Sequence, residues 1–314
     1  MKLLLPILIL PLVLSCVWDK DTILDEIQNK ASLYDLIIGQ SPHHSDEYYR
    51  KRLAKKDEIL KKYKGPIGVN TIAAAYIRLK EFDKAEKLLL KQLESTPKNY
   101  YTNSNLGVMY KKMGNYTKAV QYIDAALKIK PEGHMGLGDW YLKMLKYKAA
   151  QKDLEKNFLG EKYTEHYGRN NDYTSDDRIK RHKYELLIKN DQSFADGFMS
   201  LGDLLASKGD LNLALRAYIR AEKLQHANKE MLDKKIESIV AHISKDNYRN
   251  EAQLKLKIDK YKESINAEFA AAEKWVEEFK KAETELLKNK ENVSYKDVYA
   301  ALKSKGVKSF YPAN

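Results

Sequence analysis

The chain has 314 residues and a formal net charge of +12, and its length is enough to bury a substantial core in one or two domains. Its single cysteine, Cys16, excludes an intramolecular disulfide and a zinc site built from several cysteines. Only 14 glycines and 7 prolines accompany abundant lysine, glutamate, leucine and alanine, so the composition predicts helices throughout.

The first residues predict a targeting segment. Lys2 precedes an apolar stretch over 3–14, which is shorter than the roughly 20 residues that a membrane span needs. The stretch ends in "VLSC", which resembles the lipobox of bacterial lipoprotein signal peptides. The resemblance implies that residues 1–15 are removed, that Cys16 is acylated, and that the protein is lipid-anchored in the bacterial cell envelope, on the periplasmic side or at the cell surface. An ordinary secretory signal with an incidental Cys16 is the alternative.

The region 16–65 is predicted to hold a tether and two helices. In the first helix, apolar residues recur at helical intervals: Ile23, Ile27, Leu33 and Leu36. The second helix begins at Ser45, a residue type preferred at helix N-caps, and is rich in basic residues. The segment "GQSPHH" separates the two helices.

Two adjacent histidines in this break are candidate metal ligands. His43 and His44 lie close to Asp46 and Glu47. Adjacent histidines point in different directions, however, and no further ligand follows at a spacing typical of zinc sites. The preferred interpretation is therefore a solvent-exposed turn.

Comparison of the chain with itself, at the fixed offset that places Ile72 on Leu106, reveals an internal repeat. Eight positions match in kind without a gap: Ile72 with Leu106, Ala73 with Gly107, Tyr76 with Tyr110, Phe82 with Tyr116, Ala85 with Ala119, Leu89 with Ile123, Leu93 with Leu127, and Pro97 with Pro131. The small residues predict places where two antiparallel helices touch, and the prolines end the second helix because they lack an N–H. A third copy keeps the same internal spacing: Leu201, Gly202, Leu205, Gly209, Leu211, Ala214, Tyr218 and Ala221, with His226 in place of the closing proline.

This pattern resembles the tetratricopeptide repeat. The resemblance implies an all-α, right-handed helical solenoid with flanking capping helices. The array is predicted over 66–228, in four units: 66–99, 100–133, a degenerate unit over 134–194, and 195–228. Within the degenerate unit, the polar and tyrosine-rich stretch 157–174 predicts a loop between two helices.

The remaining region, 229–314, is predicted to be helical without following the repeat. Its longest apolar stripe runs over 251–289. The first interpretation of that helix is a cap on the apolar end of the solenoid, and a coiled-coil dimer seam is the second. A short closing helix is predicted between Ser294 as N-cap and Gly306.

The resemblance also implies a protein-binding groove on the concave face, lined by the first helix of each repeat. The predicted partner-binding residues are Asn70, Arg78, Tyr101, Asn105, Lys111 and Lys112. Further groove positions are Ala74, Ile77, Ser104, Val108, Met199, Asp203 and Ala206. Such a mixture of amides, cations and apolar groups is typical of a surface that binds an extended peptide or a partner helix. The two-carboxylate clamp of chaperone-binding members of the family is not matched, since only Asn105 fits it.

The sequence offers little catalytic chemistry. Glu165 and His166 lie near several aspartates, but these lack the order of a calcium loop, so a polar loop is preferred. Motifs for phosphate binding, zinc proteases and serine hydrolases are absent from the sequence. The prediction is a non-catalytic, membrane-tethered scaffold for protein–protein interaction, without a cofactor or metal; a lipid-tethered enzyme or binder acting on cell-wall glycan is the alternative. Since the basic residues are spread among acidic ones, mild attraction to the anchoring membrane is favoured over nucleic-acid binding.

Overall fold

The computed structural model describes residues 31–150, 153–164, 167–168, 172–244 and 251–307. Cys16 and the predicted signal peptide lie outside these residues, as do Glu165 and His166. The described residues form these helices: α1 (Leu33–Ile38), α2 (Asp46–Ala54), α3 (Lys56–Lys62), α4 (Pro66–Arg78), α5 (Phe82–Ser95), α6 (Tyr100–Lys112), α7 (Tyr116–Ile129), α8 (Gly138–Ala149), α9 (Ser175–Asn190), α10 (Ala195–Ser207), α11 (Leu211–Lys223), α12 (Lys229–Ser244), α13 (Glu251–Asn289) and α14 (Tyr295–Ser304). None of these helices combines the length and the apolar character needed to cross a membrane.

Three helical hairpins follow the predicted repeat: α4 with α5, α6 with α7, and α10 with α11. Six of the small and apolar positions that define the repeat are fully buried within them: Ala73, Ala85, Leu89, Leu106, Ala119 and Ile123. Helix α5 ends at Ser95 and α7 at Ile129, each shortly before a proline. The prediction of an all-α helical solenoid is confirmed.

Two close helix–helix contacts occur at glycines. A Cβ atom on Gly107 would lie 2.5 Å from Cδ1 of Ile123, and one on Gly202 would lie 2.5 Å from Cε1 of Tyr218. Real Cβ atoms do not approach carbon this closely, so only glycine lets α6 approach α7, and α10 approach α11, at these positions. The third hairpin thus repeats the contact that its sequence spacing predicts.

The degenerate unit is held together by its connection. Phe158 is 5% exposed and contacts Trp140 of α8 and Tyr184 of α9 with its ring, at centroid distances of 5.7 Å and 6.2 Å. Trp140 and Tyr184 also meet edge-on, at 4.8 Å. The stretch predicted as a polar loop is therefore a packed connection in its first half, where the Phe158 ring lies against both helices.

Both flanks of the array fold back onto it. Helix α1 packs against α9, α11 and α13, and α2 packs against α4 and α13. Gly39, which ends α1, has a φ of +85°, and a Cβ there would lie 3.1 Å from the Arg220 guanidinium. The 39 residues of α13 span about 58 Å. This helix contacts both the last repeat and α2. It packs on the end of the array as a cap would, but its second half also joins α2 and α14 in a separate core around Trp275 and Phe279.

The turn between α1 and α2 is not solvent-exposed, and the interpretation of His44 as an exposed residue is wrong. His44 is 5% exposed and its Nδ1 lies 2.5 Å from Oε1 of Glu283, on α13. Its ring stacks on Tyr48 at 3.7 Å. His44 is buried because α13, which lies far from this turn along the chain, packs against it.

Candidate partner-binding site

The predicted groove positions of the third repeat are covered by the chain itself. Three backbone N–H groups of the preceding connection donate hydrogen bonds to that face: Phe158 N to Asp196 Oδ2 (2.8 Å), Thr164 N to Asp203 Oδ2 (2.9 Å) and Gly168 N to Ala206 O (2.9 Å). Met199, Asp203 and Ala206 are consequently at most 7% exposed. In this conformation they are not accessible to a partner.

Asn70 and Asn105 are also completely buried. Asn105 Nδ2 donates to Asn70 Oδ1 at 3.0 Å, and Asn70 Nδ2 donates to Thr102 Oγ1 at 2.9 Å and to Pro66 O at 2.8 Å. Buried amides need such partners, since an unpaired polar group in a core is costly. The structure therefore places these two amides in a link between α4 and α6.

Lys111 lies in a buried ion-pair cluster. Its Nζ and that of Lys148 each lie 3.2 Å from Asp191 Oδ2, and the side chains of Lys111 and Asp191 are only 9% and 7% exposed. Burial raises the pKa of the Asp191 carboxyl, but the two ammonium groups and the hydrogen bond from Ser193 outweigh this and hold that pKa well below its usual value. Lys111 thus ties α6 to the segment after α9.

The part of the predicted groove that stays open is a cavity of about 260 Å³, here called the cationic cavity. Its charged lining consists of Arg78, Lys111, Lys112, Lys189, Lys280 and Asp46. Its remaining walls are Ser41, Pro42, His43, His44, Tyr49, Val108, Asn190 and Gln192. Three of the six predicted partner-binding residues therefore meet in one place, while the turn between α1 and α2 forms one side of it.

An adjoining cavity of about 570 Å³ extends this space towards α7 and α8. The two cavities share these walls: Arg78, Lys111, Lys112, Asn190 and Gln192. Tyr116 and Lys148 line the adjoining cavity and not the cationic cavity. The open surface is therefore elongated, and it follows the first helices of the first two repeats.

The charges around His43 illustrate how the elements converge. Burial, followed by the positive charges of Arg78, Lys280 and Lys112, lowers the pKa of the His43 imidazole to about 3. The ring is therefore neutral at physiological pH and adds no charge of its own. The three cations come from α4, α13 and α6. Two helices of the repeats and one helix outside them therefore contribute positive charge to the same site.

Two segments of the chain match models of the tetratricopeptide repeat, residues 69–99 and 100–133. They cover α4 with α5 and α6 with α7, the hairpins that carry Arg78, Lys111 and Lys112. The chain therefore contains tetratricopeptide repeats. No curated protein matches it. The repeats support a role in protein–protein interaction, since this fold generally provides a non-catalytic scaffold that binds proteins or peptides.

Tyr101 lies apart from the other predicted binding residues of this repeat protein. It is partly exposed in the first turn of α6, where its ring meets that of Tyr100 edge-on at 5.2 Å. About three helical turns separate it from Lys111 and Lys112.

Among the residues that the structure describes, no group of three or more side chains could hold a metal ion.

Sequence reasoning missed Lys189, Lys280 and His43 as lining residues of the cationic cavity. Lys189 lies in the last turn of the degenerate unit's second helix, and Lys280 lies on α13, outside the array. A repeat alignment assigns groove positions only to the first helix of each unit. It therefore has no position for side chains that tertiary packing brings to the groove from elsewhere.

Proposed function

We propose that this protein is a lipid-anchored scaffold of the bacterial cell envelope, which binds another protein through the open part of its concave face. The observation that carries the binding role is the pair of tetratricopeptide repeats whose first helices line the cationic cavity and its neighbour. The lipobox-like "VLSC" at residues 13–16 supports the anchor and the compartment.

The chemistry of the open surface suits a polypeptide. It combines cations, amide side chains and apolar walls such as Val108 and Ile77. Arginine and aromatic residues dominate the energy of protein interfaces, and lysines speed association by long-range attraction. A segment of the chain itself already lies on this face. The connection before α10 donates backbone hydrogen bonds to groove positions of the third repeat.

Photo-crosslinking from the groove tests the binding role. A photoreactive amino acid replaces Lys112, an exposed residue that lines both cavities, and in a control it replaces Lys87, which is exposed on α5. We expect intact cells to give a discrete protein adduct from position 112 and none from position 87. The adduct should be lost when Arg78→Ala is added. Equal adducts from both positions would show that the concave face is not the binding surface.

The anchor is tested independently. We expect Cys16→Ala to abolish metabolic labelling by a fatty acid and to move the protein from the detergent phase to the aqueous phase in a phase-partition assay. Ser15→Ala is the matched control, because it changes the neighbouring residue and leaves the thiol in place. If the wild-type protein takes up no label and Cys16→Ala still partitions with detergent, the lipobox interpretation is wrong.

A further inference from the structure

The cationic cavity gathers its charge from parts of the chain that lie far apart in sequence. Arg78 and Lys112 come from two repeats, Lys189 from the end of α9, and Lys280 from α13. Among the described residues that line the cavity, five side chains are cationic and only Asp46 is anionic. Clefts lined by charges of one sign concentrate ions of the opposite sign, so this cavity attracts anions.

The positive excess extends over both cavities, since Arg78 and Lys112 line both and Lys80 lines the adjoining one. In the adjoining cavity, Asp191 compensates Lys111 and Lys148 through its two contacts of 3.2 Å. At the cationic cavity, Lys189 and Lys280 add further positive charge, and the imidazole of His43 is held neutral by burial and by its cationic neighbours. An arriving ligand therefore meets cationic side chains in both cavities, and it meets Lys189 and Lys280 only in the first.

The dimensions indicate which kind of anion fits. Small-molecule sites usually enclose about 300–1,000 Å³, so the 260 Å³ of the cationic cavity has room for one or two side chains. It shares Arg78 and Lys112 with the adjoining cavity of about 570 Å³. Asn190 and Gln192 also line both spaces, and their NH₂ groups donate to Leu186 O and Leu36 O within the chain. An extended chain can thus place acidic side chains in the first cavity while it continues through the second.

We propose that the partner presents an extended segment with at least two neighbouring carboxylates, which bind in the cationic cavity opposite Arg78, Lys112, Lys189 and Lys280. This inference rests on the proposed protein-binding function and adds the chemical class of the bound segment. Lys189 and Lys280 are the residues that distinguish this site from a groove formed by the repeats alone.

A peptide-binding experiment tests the site directly. The probe is a fluorescein-labelled peptide with six consecutive glutamates, and the comparison peptide carries six glutamines in their place. Binding to the full-length protein in detergent is measured by fluorescence anisotropy at several salt concentrations. We expect the glutamate peptide to bind, the glutamine peptide not to bind, and the affinity to fall as salt rises.

Matched charge variants locate the binding. The double variant Lys189→Gln with Lys280→Gln should weaken binding of the glutamate peptide by at least about tenfold. The control, Lys274→Gln with Lys303→Gln, removes the same net charge at exposed positions outside the cavity lining and should change affinity by less than about twofold. Lys280→Gln alone, at an exposed position, should weaken binding by about threefold and provides the test if the double variant does not fold.

Several outcomes would overturn the inference. Absence of binding by the glutamate peptide would do so, and so would equal loss in the two double variants, which would indicate a general effect of net charge. Pyrophosphate that binds as tightly as the peptide would indicate a site for small oxyanions. If the crosslinked partner is still captured from position 112 in the Lys189→Gln, Lys280→Gln variant, this inference fails and the proposed function stands. If no adduct forms from position 112 even in the otherwise unchanged protein, the proposed function itself fails.

Discussion

Replacing Gly107 with leucine should lower the free energy of unfolding by about 3 kcal/mol. The space for the new side chain is already filled, because even a Cβ atom at this position would lie 2.5 Å from two side-chain carbons of Ile123 and 3.2 Å from its backbone nitrogen. Neither neighbour can retreat easily, since Ile123 is fully buried and its nitrogen belongs to α7. The two helices of the second repeat would have to separate. Urea-induced unfolding followed by circular dichroism measures the loss.

Two further variants show whether the effect comes from the repeat contact. Gly202→Leu should cost a similar amount, because Tyr218 Cε1 occupies the equivalent place in the third repeat. Gln121→Ala, at an exposed position on α7, should change the free energy of unfolding by less than about 0.5 kcal/mol. If Gly107→Leu unfolds at the same urea concentration as Gln121→Ala, the alignment of the repeats is incorrect.

The repeat could be predicted because the contacts that define it are local. Gly107 and Ile123 lie on consecutive helices, and the offset that places Ile72 on Leu106 reproduces the same small and apolar positions in the neighbouring unit. The small residues of such a helix pair favour one packing, since the helices can approach closely at those positions. The sequence therefore identified the hairpins and their buried residues without any knowledge of the flanks.

Which parts of the groove are open could not be predicted, because this depends on contacts between segments that lie far apart in the chain. Whether Asp203 faces a partner or the chain itself depends on Thr164, in a connection without repeat periodicity. Lys280 reaches the site because α13 folds back, and the contact of Glu283 with His44 joins two distant parts of the chain. Periodicity reports which face of a helix is apolar or polar. It does not report which distant segment covers that face.

Glu283 closes this long-range contact, and its replacement by alanine should lower the free energy of unfolding by about 3 kcal/mol. The carboxylate is completely buried, and its two oxygens lie 2.5 Å from His44 Nδ1 and 2.5 Å from Ser45 N. Ser45 is the N-cap of α2, so the carboxylate also fixes the start of that helix. Alanine would leave both nitrogens without their acceptor in a site closed to solvent, and it would open a cavity beside the stacked rings of His44 and Tyr48.

A graded series at this position separates hydrogen bonding from packing. Glu283→Gln keeps the volume, and its amide oxygen can still accept from Ser45 N while its NH₂ group can donate to Nδ1 of the other His44 tautomer, so a smaller loss of about 1 kcal/mol is expected. Glu285→Ala, on the same helix, removes an exposed ion pair with Lys288 and should cost less than about 0.5 kcal/mol. Urea unfolding of the three variants at pH 7 provides the measurement. Equal stability of Glu283→Ala and Glu285→Ala would mean that α13 does not hold the turn between α1 and α2. In that case the wall of the cationic cavity formed by residues 41–44 would not be a fixed part of the fold.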